Sequence, residues 1–213
     1  SLDNGGSWNP MTATVFTGNG SFNWDTSALA DSTLVLIRVS AADGQVITQD
    51  SSDAVFTLDN TDPVANIGAP YGPTAEDTPI GLNGAASTDA SALTYAWDLD
   101  GDGSYDDSTN STPTFNPVTY NSLHPTNDGT YTVNLVVTDA AGNNDTDTTT
   151  IVVTNVLPSV TLTAPLAGPV TGVVPITWTS SDGSDVDTFT VDITYSTDSG
   201  ATFSQNVQVS TGT

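Results

Sequence analysis

The sequence has no cysteine and no lysine, and its single arginine (Arg38), histidine (His124), glutamate (Glu76) and methionine (Met11) are each the only one of its kind. Without cysteine there is no disulfide framework, thiolate metal centre or cysteine nucleophile, so rigidity must come from packing or from bound ions. With one basic residue there is almost nothing to neutralise phosphate, which excludes nucleic acid and anionic lipid surfaces as partners. No stretch approaches the roughly 18 apolar residues of a spanning helix, which argues against direct membrane insertion. No signal-peptide pattern opens the sequence, so it reads as mature and soluble. The inventory also bears on catalysis: His124 lies in a polar loop before Pro125, and Arg38 falls mid-strand, where an outward position is expected. Paired aspartates can do acid–base chemistry, but enzymes that use them need a cleft framed by a much larger scaffold, so we expect no enzyme.

What is abundant is aspartate. Of 25 acidic residues, all but Glu76 are Asp, and the formal charge is −24. A saline habitat would favour acidity in general, but the bias to Asp points to turns and to short-reach oxygen coordination of hard cations. A hydrophobic content of 36% is enough for cores, and 213 residues correspond to about two sandwich domains of roughly 100 residues each.

Apolar residues recur with period two and nowhere convincingly with period 3.6. Expected strands are Thr33 to Val39, Ala54 to Leu58, Leu93 to Trp97, Thr130 to Val137, Thr148 to Val153, Val173 to Trp178 and Phe189 to Tyr195. Asp, Gly, Asn, Ser and Pro cluster between them, the pattern of an all-β chain of tandem immunoglobulin-like β-sandwich domains. Asp59-Asn60-Thr61-Asp62-Pro63 and Thr154-Asn155-Val156-Leu157-Pro158 each follow a strand and end in proline, which cannot donate to a ladder and so marks a boundary. The cuts give 1–62, 63–155 and 156–213, of which only the middle one has the length of a complete sandwich.

Ser1-Leu2-Asp3-Asn4-Gly5-Gly6-Ser7-Trp8 and Ser196-Thr197-Asp198-Ser199-Gly200-Ala201-Thr202-Phe203 share the pattern S-x-D-x-G-x-[ST]-aromatic, and Thr17-Gly18 is echoed by Thr211-Gly212. On this reading 156–213 is the N-terminal part, and 1–62 the C-terminal part, of one domain type. The sequence would then be a cut-out of a longer array, or neighbouring copies would complete its ends. The octapeptide resembles the Asp-box, a structural hairpin motif of sialidases and other secreted β-proteins. A sialidase would need three substrate-binding arginines, and this sequence has one.

The middle segment resembles a PKD domain, the polycystic kidney disease repeat, through Leu82-Asn-Gly-Ala-Ala-Ser-Thr-Asp89, Leu93-Thr-Tyr-Ala-Trp-Asp98 and Gly129-Thr-Tyr-Thr-Val-Asn-Leu-Val-Val-Thr-Asp139. The resemblance implies an immunoglobulin-like sandwich with Trp97 and Tyr131 in its core and a role as spacer or interaction module. The outer segments are similar to bacterial or archaeal Ig-like repeats, through Phe22-Asn-Trp-Asp-Thr26 and Leu34-Val-Leu-Ile-Arg-Val39.

The strongest chemical signal is Asp98-Leu99-Asp100-Gly101-Asp102-Gly103-Ser104-Tyr105-Asp106-Asp107. Alternate carboxylates with glycine at the sixth position let a tight loop wrap oxygens around Ca²⁺ at about 2.3–2.6 Å. Asp98, Asp100, Asp102 and Asp106 hold the first, third, fifth and ninth positions. Thr109 stands where an EF-hand has its bidentate glutamate, so Asp107 or Asp89 would complete the shell. Asp59 and Asp62, with Asp139, Asn143 and Asp145, are candidates for a second, inter-domain ion of the kind seen in cadherin-like arrays, and ordinary turn capping also accounts for them. Asn19, Asn110 and Asn144 open glycosylation sequons in expected loops.

Two functions fit. One is a structural repeat of an extracellular filament, surface layer or adhesin stalk, stiffened by calcium and partnered by neighbouring repeats or copies of itself. The other is an accessory module of a secreted hydrolase that binds polysaccharide through exposed aromatics. Either places the protein outside the cell or on its surface.

Overall fold

The computed structural model describes residues 1–11, 18–120, 127–165, 167–182 and 190–207, with 204–207 as backbone only. His124, Phe189, Thr17 and the Thr211-Gly212 pair lie outside them. Every regular element described is a strand, as the period-two patterning requires, and none of the described residues forms a helix long and apolar enough to cross a membrane. In chain order the strands are β1 (Ser32–Val35), β2 (Arg38–Ala42), β3 (Ile47–Ser51), β4 (Phe56–Leu58), β5 (Tyr71–Ala75), β6 (Ile80–Gly81) and β7 (Thr94–Asp98). There follow β8 (Thr114–Phe115), β9 (Gly129–Thr138), β10 (Asn144–Thr154), β11 (Ser159–Ala164), β12 (Thr177–Ser181), β13 (Ile193–Tyr195) and β14 (Ser204–Val207).

The chain divides into two compact units. One holds Ser1–Val64 together with Thr88–Leu93 and Thr138–Asp145; the other holds Ala65–Ser87, Thr94–Val137 and Thr146–Thr213. In the first unit β1 pairs with β4 and β2 with β3, both antiparallel. Its buried apolar residues are few, Val35 and Leu58. The expected single strand Thr33 to Val39 is broken into β1 and β2. At the break the Leu36 N–H donates to the Ser1 carbonyl and the Ile37 N–H to Ser52 Oγ, so the backbone changes partners between the two strands. Arg38 is half-buried, and its guanidinium sits 4.0 Å above the Trp8 ring, a cation–π contact that occupies the chain's only basic side chain.

The core of the second unit is a four-stranded sheet in the order β5-β10-β9-β7 and a two-stranded sheet of β6 and β8. Along β9 burial alternates strictly, with Tyr131, Val133, Leu135 and Val137 inward, the signature of a sheet with one buried face. Trp97 of β7, Phe115 of β8 and Ile151 and Val153 of β10 are buried with them. Phe115 meets Tyr131 edge to face at 5.0 Å, which joins the two sheets. The Trp97 indole N–H donates to the Asn110 carbonyl at 2.7 Å, so the largest buried side chain carries no unsatisfied donor. Beyond the β6 and β8 pair, the Gly84 N–H bonds the Ser111 carbonyl, and a Cβ at Gly84 would lie 2.9 Å from both Leu135 and Trp97. Strand β5 runs parallel to β10, with Tyr71 opposite Ile151 and Thr74 opposite Val153. Glu76 is fully buried and accepts the Val156 N–H at 2.6 Å, a structural acceptor at the entry to the last segment.

In that last segment β11 pairs with β12 and β13 with β14. Strand formation begins at Thr177, four residues later than the apolar run Val173 to Trp178 suggests. Val173 is fully exposed, and Leu157, Val160 and Leu162 are also exposed. In the first unit Leu34 is exposed and Leu36 half-buried.

The two octapeptides fold alike, bond for bond. Asp3 Oδ1 accepts the Ser1 hydroxyl and the Ser7 N–H, Asp3 Oδ2 accepts the Ser7 hydroxyl, and the Gly5 N–H returns to Ser1 Oγ at 2.8 Å. Asp198 takes the same bonds from Ser196 and Thr202, and the Gly200 N–H returns to Ser196 Oγ at 2.8 Å. In each, two consecutive residues take positive φ: Asn4 and Gly5, then Ser199 and Gly200. In the second case the turn joins β13 to β14.

Candidate cation sites in two carboxylate clusters

The Asp98–Asp107 loop closes on itself because β7 continues past its sheet. The Trp97 N–H bonds the Ser108 carbonyl at 3.0 Å and the Asp107 N–H returns to the Trp97 carbonyl at 3.1 Å, so the loop's ends lie side by side. Gly101 and Gly103, at φ of 75° and 90°, turn the backbone through the left-handed region that other residues enter only with strain. Asp98 is 1% exposed and sits at the centre of the loop. Its Oδ1 accepts the Gly101 N–H, and its Oδ2 accepts the Gly103 N–H and the side-chain amide of Asn134. The Asn134 amide is oriented in turn by the Thr148 hydroxyl, which donates to its oxygen at 2.8 Å. Asp107 Oδ2 accepts the N–H groups of Leu99 and Asp100.

This wrapping brings one oxygen each from Asp98, Asp100 and Asp107 to within 4.8 Å of one another. Asp102 and Asp106, expected as the fifth- and ninth-position ligands, are exposed and stand outside that group. Asp102 is used locally, accepting the Ser104 N–H. The loop therefore departs from EF-hand spacing at its far end, where Asp107 turns inward in place of Asp106.

The second cluster comprises Asp59, Asp89 and Asp139, again with oxygens within 4.8 Å. Asp139 is nearly buried and is the turn cap between β9 and β10: its Oδ1 accepts the N–H groups of Ala141, Gly142 and Asn143, and its Oδ2 the Asn143 side-chain amide. Burial pushes its pKa up, but the Asn143 amide and the three backbone donors together outweigh that and hold it below the ordinary carboxylate value. Asp89 is lowered by the N–H and hydroxyl of Ser91. Asp31 is held down by the Thr61 hydroxyl and the Asn60 N–H, while Asp89 and Asp139 push it the other way, so the field of this cluster reaches it.

Asp59 and Asp139 thus come together, with Asp89 as the third member. Asp62 is exposed and Asp145 half-buried, and neither belongs to the cluster. Asp31 and Asn134 have no local spacing signal; long-range pairing alone places them. Asn19, Asn110 and Asn144 are exposed, Asn144 as the first residue of β10.

Both clusters offer only oxygen donors, the set a hard divalent cation takes. Residues 60–154 match the family model of the PKD domain. Among solved structures, the PKD1 domain of Vibrio anguillarum Epp is 30% identical over 45% of this chain and 96% of that one, with a TM-score of 0.33. A structure titled for carbohydrate-binding modules of the β-sandwich superfamily is 27% identical over 58% of this chain and 55% of that one, with a TM-score of 0.35. No curated protein matches.

Proposed function

We propose that this chain, whose residues 60–154 match the family model of the PKD domain, is a non-catalytic extracellular structural repeat whose middle domain is rigidified by calcium. The observation that carries this reading is the convergence of Asp98, Asp100 and Asp107. Three carboxylates held this close repel one another unless a cation offsets them, and the one arginine of the chain is committed to Trp8. The donor set fits Ca²⁺, which Asp98, Asp100 and Asp107 would hold, with Asn134 orienting Asp98 from behind. A bound ion would supply positive charge where the loop has none. Since Asp98 directly follows core Trp97, ordering the loop would also fix the end of β7. Asp59, Asp89 and Asp139 are the second candidate set, on the same chemistry. Neighbouring repeats or further copies of the chain are the proposed partners, and the exposed apolar side chains of the outer segments, Val173 and Leu162 among them, support that part of the reading.

Thermal melts in calcium and in chelator test it. Extracellular modules bind with dissociation constants of about 0.1–1 mM, and at 100-fold excess one site adds about 2.7 kcal/mol. A transition midpoint that rises in calcium and falls on chelation is the expected result. One that ignores both leaves the loop an acidic turn held by its own hydrogen bonds.

A further inference from the structure

The segment Asp59-Asn60-Thr61 has the composition of a free linker, yet it is gripped from two sides. From one side Asp31 accepts the Asn60 N–H at 2.7 Å and the Thr61 hydroxyl. The Asn60 side-chain amide reaches the Thr26 carbonyl at 2.8 Å and the Leu29 carbonyl at 3.0 Å. From the other side comes a single residue. Asn143 Nδ2 donates to the Asp59 carbonyl at 3.2 Å, to the Thr61 carbonyl at 3.3 Å and to Asp139 Oδ2 at 2.8 Å. An amide has two N–H groups, so three acceptors on one nitrogen means that at least one bond is shared. Asp139 in turn is locked by three backbone N–H groups, which leaves the amide little freedom to turn away.

We propose that Asn143 is the clamp of the 59–61 connection, holding it as a fixed segment and not a hinge, with no ion required. This goes beyond the calcium reading and stands without it. The clamp uses backbone carbonyls of the linker, so it does not depend on which side chains flank them. It depends on one amide that the turn between β9 and β10 presents. A carboxylate in its place would face two carbonyl oxygens and a neighbouring carboxylate, which reverses the interaction.

Asn143→Ala isolates the effect, because two bonds that close the turn do not use the Asn143 side chain: the Asp139 N–H bonds the Asn143 carbonyl and the Asn143 N–H bonds Asp139 Oδ1, both of which alanine keeps. Hydrogen exchange of the whole chain in chelator reads the result. We expect exchange across 59–61, the Asn60 amide above all, to quicken about tenfold in Asn143→Ala and further in Asn143→Asp, while amides of β9 and β10 are unchanged. Chelator removes any ion, so failure of the calcium reading leaves this outcome intact. Unchanged exchange in Asn143→Ala, wild-type exchange at 59–61 as fast as in an unstructured peptide, or a general loosening of β9 and β10 would each overturn the proposal.

Discussion

The backbone N–H of Leu99 donates to Asp107 Oδ2 at 2.6 Å, across eight residues of chain, and this bond folds the acidic loop back on the strand it leaves. Asp107 is therefore both a structural acceptor and a candidate ligand. Replacing Asp107 with alanine strips the acceptor from the N–H groups of Leu99 and Asp100 and should cost about 1–3 kcal/mol in denaturant melts run in chelator. It should also abolish any gain on adding calcium. Asp102→Asn keeps a local acceptor on an exposed residue outside the carboxylate group, so it should stay within about 0.5 kcal/mol of wild type and keep the calcium response. Equal effects of the two substitutions would count against the assigned ligand set.

Glycine substitutions should separate tight backbone approach from open space. A Cβ at Gly84 lies 2.9 Å from Leu135 and Trp97 within the core, and overpacking of that kind costs about 1–3 kcal/mol. Gly72 combines a φ of +92° with a Cβ that would run into the Val152 carbonyl, so Gly72→Ala should lose about 3 kcal/mol or more. Gly81 has nothing within 4 Å and an ordinary φ, so its alanine variant should lie within about 0.5 kcal/mol of wild type. Urea midpoints should fall from Gly81→Ala through Gly84→Ala to Gly72→Ala; a neutral Gly72→Ala would contradict the parallel pairing of β5 with β10.

The octapeptide turns carry a pH signature. The Ser196 hydroxyl, then the hydroxyl and N–H of Thr202, bring the Asp198 pKa down to about 2, and Ser1 and Ser7 hold Asp3 well below the usual carboxylate range. A pKa lowered on folding means that the stabilisation is complete above the unfolded value near about 4 and is lost as pH falls toward the folded one. Carboxyl carbon shifts followed by NMR should give Asp198 a midpoint near 2, and Ser196→Ala should move it up. A wild-type midpoint near 4 would mean that the turn does not persist in solution.

Exposed aliphatic side chains in the last segment should make the chain self-associate once charge repulsion is screened. Val160 and Leu162 alternate along β11 and so share a face, both more than half exposed. At a net charge of −24, raising salt shortens the range of repulsion. Sedimentation velocity should show concentration-dependent association at high salt that Val160→Asp with Leu162→Asp removes. A monomer at every salt and protein concentration would argue against partnering through this face.

How far the sequence revealed the fold depended on how local the determinants were. Strands β9 and β10 were plain from alternation, and core positions for Trp97 and Tyr131 followed from the family resemblance. Strand β5 was hidden because Tyr71-Gly72-Pro73-Thr74-Ala75 has the composition of a turn; parallel pairing with β10, some 80 residues on, makes it a strand. The two-residue strands β6 and β8 are too short for any periodicity to register. The acidic loop was visible as a run of residues, but whether Asp106 or Asp107 turns inward is decided by the bridge between Trp97 and Ser108, which no spacing encodes. Asp89 and Asp139 lie 50 residues apart, and their meeting with Asp59 is purely tertiary.

The parallel pairing of β5 with β10 has a mechanical consequence. They are the first and last strands of the four-stranded sheet's run of sequence, and they point the same way, with Ile151 beside Tyr71 and Thr154 beside Ala75. Tension that pulls the chain before β5 and after β10 in opposite directions slides one strand along the other, so their hydrogen bonds are loaded together and not peeled one at a time. A domain stretched from both ends would then yield late and abruptly. Single-molecule pulling between residues 63 and 155 should show one high rupture force, markedly lower in Gly72→Ala; a low, gradual extension would mean that the ladder unzips.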